Sequence, residues 1–489
     1  MPLRAISREQ GWLLPPSVDE LVGEDHPARF VAAFVEALDR TALGEMGIDA
    51  DGEELGAPAY PPRLLLSIWL YGFLRGIRSS RKLEVACREQ LPFLWLSGFS
   101  HPDHNTLWRF YQTHREQMRR LLKRTVRAAV KLGLVDLALQ AVDGTKVMGN
   151  AAKDRTYDEE ELTQLLERAE SAIRDLEAQN TTGGDSPPPS LPPALRKKHT
   201  LRQQVETALA QIRTEEEGAR INLTDPEAVL LKGRAGYVAG YNAQAMVSPL
   251  CRDVAGQSGL VISAAAITTD PDDHRQLVPM IDQARENRGV AVGVTLADAG
   301  YHSGENLQAC EQAGTPVLMP ESQTDSQLAD PYHKDAFVYN PDSNIYTCPH
   351  GQVLTWRYEK HRVGRSPVQV YRPMGGVCRA CPAFGVCTKN RLGRSLEVGP
   401  HEQVLRAQRQ RRKAAPNQEL YRHRKELPEP TFGILKEQLG ARRFLLRGKA
   451  NVAAEWSLLA TAFNLRTLSR IWQRRTGREK VRIVGALAA

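Results

Sequence analysis

Apolar positions along this chain change rhythm several times, and each change predicts a different kind of structure. Through about residue 135 the spacing is helical. Short helical pieces are expected between Asp19 and Phe30, broken at Pro27. Pro61 and Pro62 open RLLLSIWLYGFLRG, apolar on all sides but too short to cross a bilayer, hence a buried helix. Ser79 or Ser80 can cap a short helix with Arg75, Arg78, Arg81 and Lys82 at its entrance. From Asn105 or Thr106 one long amphipathic helix is expected to about Lys131. Leu107, Phe110, His114, Met118, Leu121 and Val126 lie on or near one face, with Arg109, Arg115, Arg119, Arg120 and Arg124 largely off it.

The run LALQAV (137–142), ending at Asp143-Gly144, reads as the first core strand. Residues 155–217 then return to helical spacing, with Leu162, Leu165, Leu166, Ala169, Ile173 and Leu176 answered by Leu201, Val205, Leu209 and Ile212. This predicts an antiparallel helical hairpin, joined by the flexible Gly/Ser/Pro-rich connection NTTGGDSPPPSLPP. From Tyr237 come two strands, GYNAQAMVS and GLVISAAAITT, and a helix from about Asp273 to Arg288. A strand in VAVGVTLADAGY, a helix SGENLQACEQAG and a strand in TPVLMP follow. With the first strand this order gives a mixed five-stranded sheet flanked by helices. Two core helices close the chain: one starts near Glu429 and buries Phe432, Leu435 and Leu439, and one runs from Asn451 to about Trp472.

Composition refines this picture modestly. Lys and Arg outnumber Asp and Glu by 65 to 57, a net charge of +8, which suits a polyanionic partner without requiring one. The clustering of arginine says more. The cations around Arg75 to Lys82, and those of the long helix after Asn105, resemble solvated faces, but two basic helical segments in a row favour contact with a DNA backbone. A third basic run, RAQRQRRKAAPNQELYRHRKELPEP, leads straight into Glu429. The N-terminal residues lack a secretory pattern and no apolar window approaches the about 18 residues that span a bilayer, so a soluble, cytoplasmic protein is expected.

Seven cysteines are an odd number for a disulfide framework, and four of them fall in one region with metal-like spacing, so they read as reduced. Cys348, Cys378, Cys381 and Cys387 lie together beyond Pro331, with a CxxC among them, and suit one tetrahedral zinc; His350 is a possible substitute ligand. Cys87, Cys251 and Cys310 read as packing residues. In LADAGYHS an apolar run ends in Asp298, and Gly300 lets the chain turn away. Alone, Asp-Ala-Gly is ordinarily just a turn.

VDGTK with Asp143, LADAGY with Asp298 and PEPTFGILK with Glu429 resemble, in order and context, the three acidic motifs of bacterial insertion-sequence transposases with a DDE site on an RNase H-like core. LLPPSVDELVGEDHPARF, GIRSSRKLE, HPDHNTLWRF, GYNAQAMV, the cysteine cluster and RRFLLRGKANVAAEWSLLATAFNL also resemble this family. The resemblance implies an RNase H-like sheet, an all-α N-terminal DNA-binding domain, a helical-hairpin insertion and a cysteine-rich, zinc-ribbon-like insertion. It places Asp143, Asp298 and Glu429 around two Mg²⁺ ions (or Mn²⁺) roughly 4 Å apart, which stabilise entering and leaving oxygens of a phosphodiester. The family's third motif often carries a tyrosine, an arginine, the glutamate and a lysine at set intervals. Lys436, two turns after Glu429, matches, whereas Tyr421 and Arg424 sit one residue too far upstream and leave Lys425 where the arginine is expected. Lys436, Arg424, Lys425 and Tyr421, with Arg75, Arg78, Arg81, Lys82 and Arg109, are the expected DNA contacts. After the turn, His302 is a candidate to approach DNA and Ser303 to cap the next helix.

The expected division is 1–135, DNA-binding; 136–154, 218–330 and 415–475, catalytic core; 155–217, hairpin; 331–400, cysteine-rich; 401–428, basic segment; and 476–489, tail. The expected activity is cleavage and joining of DNA at the terminal inverted repeats and target, by a homodimer at the bacterial nucleoid. The alternatives are an end-binding repressor that has lost catalysis, and a nuclease without strand transfer.

Overall fold

The computed structural model describes residues 17–49, 60–181, 193–215, 218–233, 236–321, 330–362 and 365–489. The opening LLPP and nearly all of the hairpin's expected flexible connection lie outside them.

The N-terminal third is helical: α1 (Val18–Leu21), α2 (Pro27–Ala37), α3 (Arg40–Glu45), α4 (Pro62–Leu74), α5 (Ser80–Glu89), α6 (Leu91–Leu96), α7 (His104–His114) and α8 (Arg120–Lys131). Pro27 starts α2 rather than breaking a helix, because a first-turn residue has no intrahelical N–H to lose. α4 is buried along Leu65–Leu74, as its uniformly apolar sequence requires, and Trp69 stacks on Tyr111 at 4.3 Å. The long helix expected from Asn105 to Lys131 is two helices. Asp103 caps the first through Thr106 N at 2.6 Å. After His114 the chain passes through the 3₁₀ turn Gln117–Arg119. There Arg115 turns back to accepting groups, the Gln112 carbonyl and Asn451 Oδ1 at 2.6 Å, instead of facing solvent.

The central sheet has the order β4-β5-β1-β7-β8, with β6 on the same edge of β5 as β4. β1 (Leu139–Met148) pairs antiparallel with β5 (Gly236–Pro249) and parallel with β7 (Val294–Leu296), which pairs parallel with β8 (Val317–Leu318). β4 (Val229–Gly233) and β6 (Leu260–Thr268) share the long outer edge of β5. Five strands were expected. The sixth, β4, answers the first residues of β5, which begins before β6 can reach it. β1 also runs on through Asp143-Gly144 to Met148, because β5 offers it a partner along that whole length.

Between β1 and β5 the chain leaves the sheet as the expected hairpin, α9 (Glu159–Thr181) and α10 (Pro193–Ile212), joined to the body by the ribbon β2 (Thr156–Tyr157) and β3 (Ile221–Asn222). Leu162, Val205, Leu209 and Ile212 form its separate core. The short α11 (Arg252–Ala255) links β5 to β6.

One face of the sheet carries α12 (Leu277–Arg288), α13 (Gly304–Gln312) and α14 (Glu402–Lys413), which bury Val142, Met246, Leu277, Tyr301 and Leu307. The other carries α16 (Pro428–Glu437) and the 25-residue α17 (Lys449–Gln473). α17 reaches from the sheet to the N-terminal helices, so a single hydrophobic cluster joins Phe34 and Trp69 to Trp456 and Ala245. The boundary at 135 is a change of element, not a gap in the core. The expected tail is α18 (Gly477–Ala488), which lies on α2 and α8 and buries Leu487. The basic segment is folded too, as α14 and α15 (Ala415–Arg422).

Residues 331–400 form a separate antiparallel sheet, β13-β12-β11-β10-β9 in order: β9 (Val338–Asn340), β10 (Ile345–Thr347), β11 (Val353–Arg362), β12 (Arg365–Pro373) and β13 (Leu396–Val398). Phe337, Tyr346, Leu354, Tyr371 and Leu396 make its core.

Candidate active site

Register brings the first two aspartates together. In the parallel pairing of β1 with β7, Ala141 lies opposite Leu296. Two residues on along each chain are Asp143 and Asp298, and a step of two keeps both on one face. Arg424 joins them, with one terminal nitrogen 3.2 Å from Asp143 Oδ1 and 3.1 Å from Asp298 Oδ2. The Arg424 side chain is 11% exposed, Asp143 17% and Asp298 36%, so the pair opens to solvent on the Asp298 side. Gly300 forms the expected turn: its N–H donates to Asp298 Oδ1 at 2.8 Å, and Asp298 caps the short 3₁₀ turn Ala299–Tyr301. Ser303 caps α13 through Asn306 N at 3.0 Å. His302 turns inward, 4.0 Å from Glu321, and burial lowers its pKa.

Charge at this site is not fully compensated. Burial pushes the Asp143 carboxyl up; Arg424 pulls it back only in part, and Asp298 and Asp273 push it further, to about 6. Glu429 stands exposed in the first turn of α16, and Lys436 is two turns further on the same side. Lys436 Nζ lies 2.5 Å from Thr145 Oγ1, and Thr145 follows Asp143 on the same face of β1. α16 therefore lies along the strand that carries Asp143. Tyr421 donates its hydroxyl to the Ala297 carbonyl at 3.1 Å, which holds the backbone just before Asp298. Among the described residues, no three His, Cys, Asp or Glu side chains form a closed metal-ligand group, so Glu429 does not complete the pair in this arrangement.

Two family descriptions match this chain. Transposase DDE domain covers residues 347–469, and Transposase domain (DUF772) covers residues 16–113. Together the two matches indicate an insertion-sequence transposase of the DDE type. No curated protein matches the chain. The two matches take in most of α1 to α7, most of the cysteine-rich region and the helix that carries Glu429 and Lys436, while α8, Asp143 and Asp298 lie between them.

The expected DNA-facing cations divide into two groups. Arg75, Arg81, Lys82, Arg109 and Lys425 are exposed. Arg78 is a correction: its guanidinium pairs with Glu455, the two side chains 5% and 2% exposed, and it also reaches the Arg443 carbonyl at 3.0 Å. It ties the N-terminal helices to α17. Arg424, expected on DNA, sits between the two aspartates, and Lys436 is drawn to Thr145.

Cys348, Cys378, Cys381 and Cys387 line one apolar cavity of about 20 Å³, with Tyr332 and His350 at its wall. That volume accommodates a single small occupant. Cys87 and Cys310 are buried and Cys251 is half-buried, all with free thiols, consistent with packing. No helix among the described residues is long and apolar enough to cross a membrane.

Two groups of residues escaped the sequence reading. Asp273, read as a helix start, reaches the site from the loop after β6, beside Asn242 and Gln244 of β5. Arg409, lost in a run of cations, is buried among three carboxylates where the cysteine-rich region meets the sheet. The asymmetry of α14 was the available signal, since Val404, Leu405, Gln408 and Arg409 share one side.

Proposed function

We propose that this transposase cleaves DNA phosphodiesters at the ends of its element and joins the freed 3′ ends to target DNA, using Asp143, Asp298 and Glu429 on an RNase H-like core. The observation that carries the reading is the Asp143–Asp298 pair, each two residues beyond the last paired positions of adjacent strands and bridged by a single arginine. A central strand flanked by one antiparallel and one parallel neighbour supports the RNase H-like assignment.

The donor set fits Mg²⁺ or Mn²⁺: hard carboxylate oxygens, partly open to solvent, that one guanidinium leaves undercompensated. Asp143 and Asp298 would hold the ions, with Glu429 joining from α16. When bound, two such ions stabilise the charge on the attacking and leaving oxygens. The remaining groups are positioned to serve the same reaction. Arg424 must leave the carboxylates as cations enter, and its Nε–H, buried without an acceptor, fits a phosphate oxygen of the DNA. Tyr421 holds the chain before Asp298 in place. The exposed Arg75, Arg81, Lys82, Arg109 and Lys425 suit sugar-phosphate contacts. Pairing two ends calls for a homodimer.

Cys348, Cys378, Cys381 and Cys387 line one small cavity but, as placed, form no closed metal-ligand group; drawn together, their thiolates would suit a single structural Zn²⁺ that fastens the turns bearing Cys378, Cys381 and Cys387 to Cys348. Protein purified without chelators should carry about one zinc per chain. Finding none, or unchanged folding in Cys381→Ser, removes this assignment.

The decisive experiment uses a duplex built from the DNA flanking the gene on both sides, searched for inverted repeats. Nicked and joined products should form with Mg²⁺, vanish with EDTA, and be absent for Asp143→Ala, Asp298→Ala and Glu429→Ala. Excision that persists with any one of the three removed sinks the assignment. Cleavage without joined products would reduce the protein to a nuclease, and binding without cleavage to a repressor.

A further inference from the structure

Asp273 stands at the entrance to a 3₁₀ turn, His274–Gln276, yet its side chain makes no capping bond there. It turns to the sheet instead. Its Oδ1 accepts from Asn242 Nδ2 and from Gln244 Nε2, each at 2.7 Å, with Lys146 Nζ at 3.8 Å. An ionised carboxylate can only accept, so Gln244 must present its amide nitrogen to Asp273 and its oxygen to the other side. On that side Tyr301 donates its hydroxyl to Gln244 Oε1 in a close bond. Tyr301 is the last residue of the turn that Asp298 caps. Gln244 and Tyr301 are both fully buried, and Trp456 fixes the Gln244 backbone through its carbonyl at 2.8 Å. A second tie binds the same two loops: Asn306 Nδ2 donates to the His274 carbonyl at 2.5 Å and the Tyr301 carbonyl at 2.8 Å.

Two glycines make this approach possible. A Cβ on Gly144 would stand 2.3 Å from Gln244 Nε2 and 2.6 Å from Asp273 Oδ1. A Cβ on Gly300 would stand 3.0 Å from Asp298 Oδ1 and 3.6 Å from Asp273 Oδ2, so about one methyl group of space separates those carboxylates.

We propose that Asp273 is a positioning residue of the active site: through Gln244 and Tyr301 it fixes the turn that aims Asp298, and so sets how tightly Asp298 holds a divalent cation. The proposal rests on the assignment of Asp143 and Asp298 as metal-holding carboxylates. Asp273→Asn keeps the shape but offers an amide that can turn either way, which frees Gln244 to flip. Tyr301→Phe cuts the same path at its other end.

The test uses the full-length protein. Mn²⁺ binding without DNA is followed by loss of the free-ion EPR signal, and the Mg²⁺ concentration for half-maximal cleavage of the end-bearing duplex is measured alongside. Asp273→Asn and Tyr301→Phe should each weaken Mn²⁺ binding and raise the Mg²⁺ requirement by about tenfold, the scale of losing an outer-shell partner. Saturating metal should restore most of the rate. The double variant should be no worse than the poorer single variant, because both lie on one path. Unchanged metal affinity in both variants overturns the proposal, as do multiplicative effects in the double variant. A rate loss that saturating metal does not restore, with a lowered Tm, shows a fold anchor only and also overturns it. If wild type fails to bind Mn²⁺, or Asp143→Ala still cleaves, the carboxylate assignment itself falls and takes this proposal with it.

Discussion

Arg409, buried, and Arg424, half-buried, are both set among carboxylates, and they have opposite characters. Arg409, 4% exposed, meets Asp335 at 2.6 and 2.7 Å, Glu321 at 2.6 Å and Glu402 at 2.6 Å. Lys334 and Arg406 add positive charge at Glu402 and Asp335, so three acids face three bases. Burial alone would raise Asp335, but Arg409, with His333 and Arg406, holds it below its ordinary value. At Arg424 the distances lengthen to 3.1 and 3.2 Å; Asp143 and Asp298 pair with Arg424, and Asp273 with the more distant Lys146. There burial wins, and Asp143 rises to about 6. The first cluster is a closed lock between the cysteine-rich region and the sheet. The second is short of positive charge, which is the condition a site for added cations requires.

The comparison breaks most visibly under truncation of the acids. Asp143→Ala and Asp298→Ala should lower cleavage by about 10³-fold or more, since several kcal/mol of charge stabilisation depends on each carboxylate. Asp335→Ala should leave the metal requirement of the surviving activity unchanged and instead lower Tm. A shifted metal requirement in Asp335→Ala would show that the two clusters are not separate in function.

Replacing the arginines reverses the pattern. Arg409→Met leaves the buried Glu402 and the half-buried Asp335 and Glu321 without their common partner and should destabilise the protein by about 3 kcal/mol in denaturant titrations. Arg424→Met removes a cation from a site that already opens to solvent, and should change stability by only about 1 kcal/mol while weakening DNA cleavage. Equal destabilisation by both would remove the distinction drawn between lock and site.

The pH dependence sharpens it further. The folded-state pKa of Asp143, about 6, lies above its unfolded value of 3.8, so the folded protein holds the proton more tightly. That contribution favours folding below about pH 4 and is lost as pH rises to about 6. In EDTA, Asp143→Asn should therefore be more stable than wild type above pH 7, by about 2 kcal/mol after allowing for partial exposure, with the gain fading toward pH 4. Wild-type stability that is flat between pH 4 and 7 relative to the variant would contradict the charge shortage.

Much of the fold was legible because it depends on periodicity: the hairpin, the strands around Asp298 and the α17 helix all follow from apolar spacing. The candidate carboxylates were legible through motif resemblance, and strand register then supplied the geometry for two of them. What stayed hidden was side-chain direction. Arg78 and Arg409 lie in cationic runs that read as solvated, and only tertiary packing turns each toward a buried acid. Asp273 resembles a helix cap in sequence, and nothing local shows that Asn242 and Gln244 draw it elsewhere. β4 was missed because a five-residue strand needs its partner to declare it.

The smallest expected effect concerns Lys425, next in sequence to Arg424 but exposed. If Arg424 is the inward cation of this pair of residues and Lys425 the outward one, Lys425→Ala should weaken binding to any duplex about equally and reduce the slope of log affinity against log salt by about one. Arg424→Ala should instead affect cleavage more than binding, because in the unbound protein its charge is already engaged by Asp143 and Asp298. Filter binding across a salt series, run beside cleavage at saturating DNA, separates the two. A salt slope that falls for Arg424→Ala but not for Lys425→Ala would reverse their roles and place the family's motif arginine at Arg424 on DNA from the first encounter.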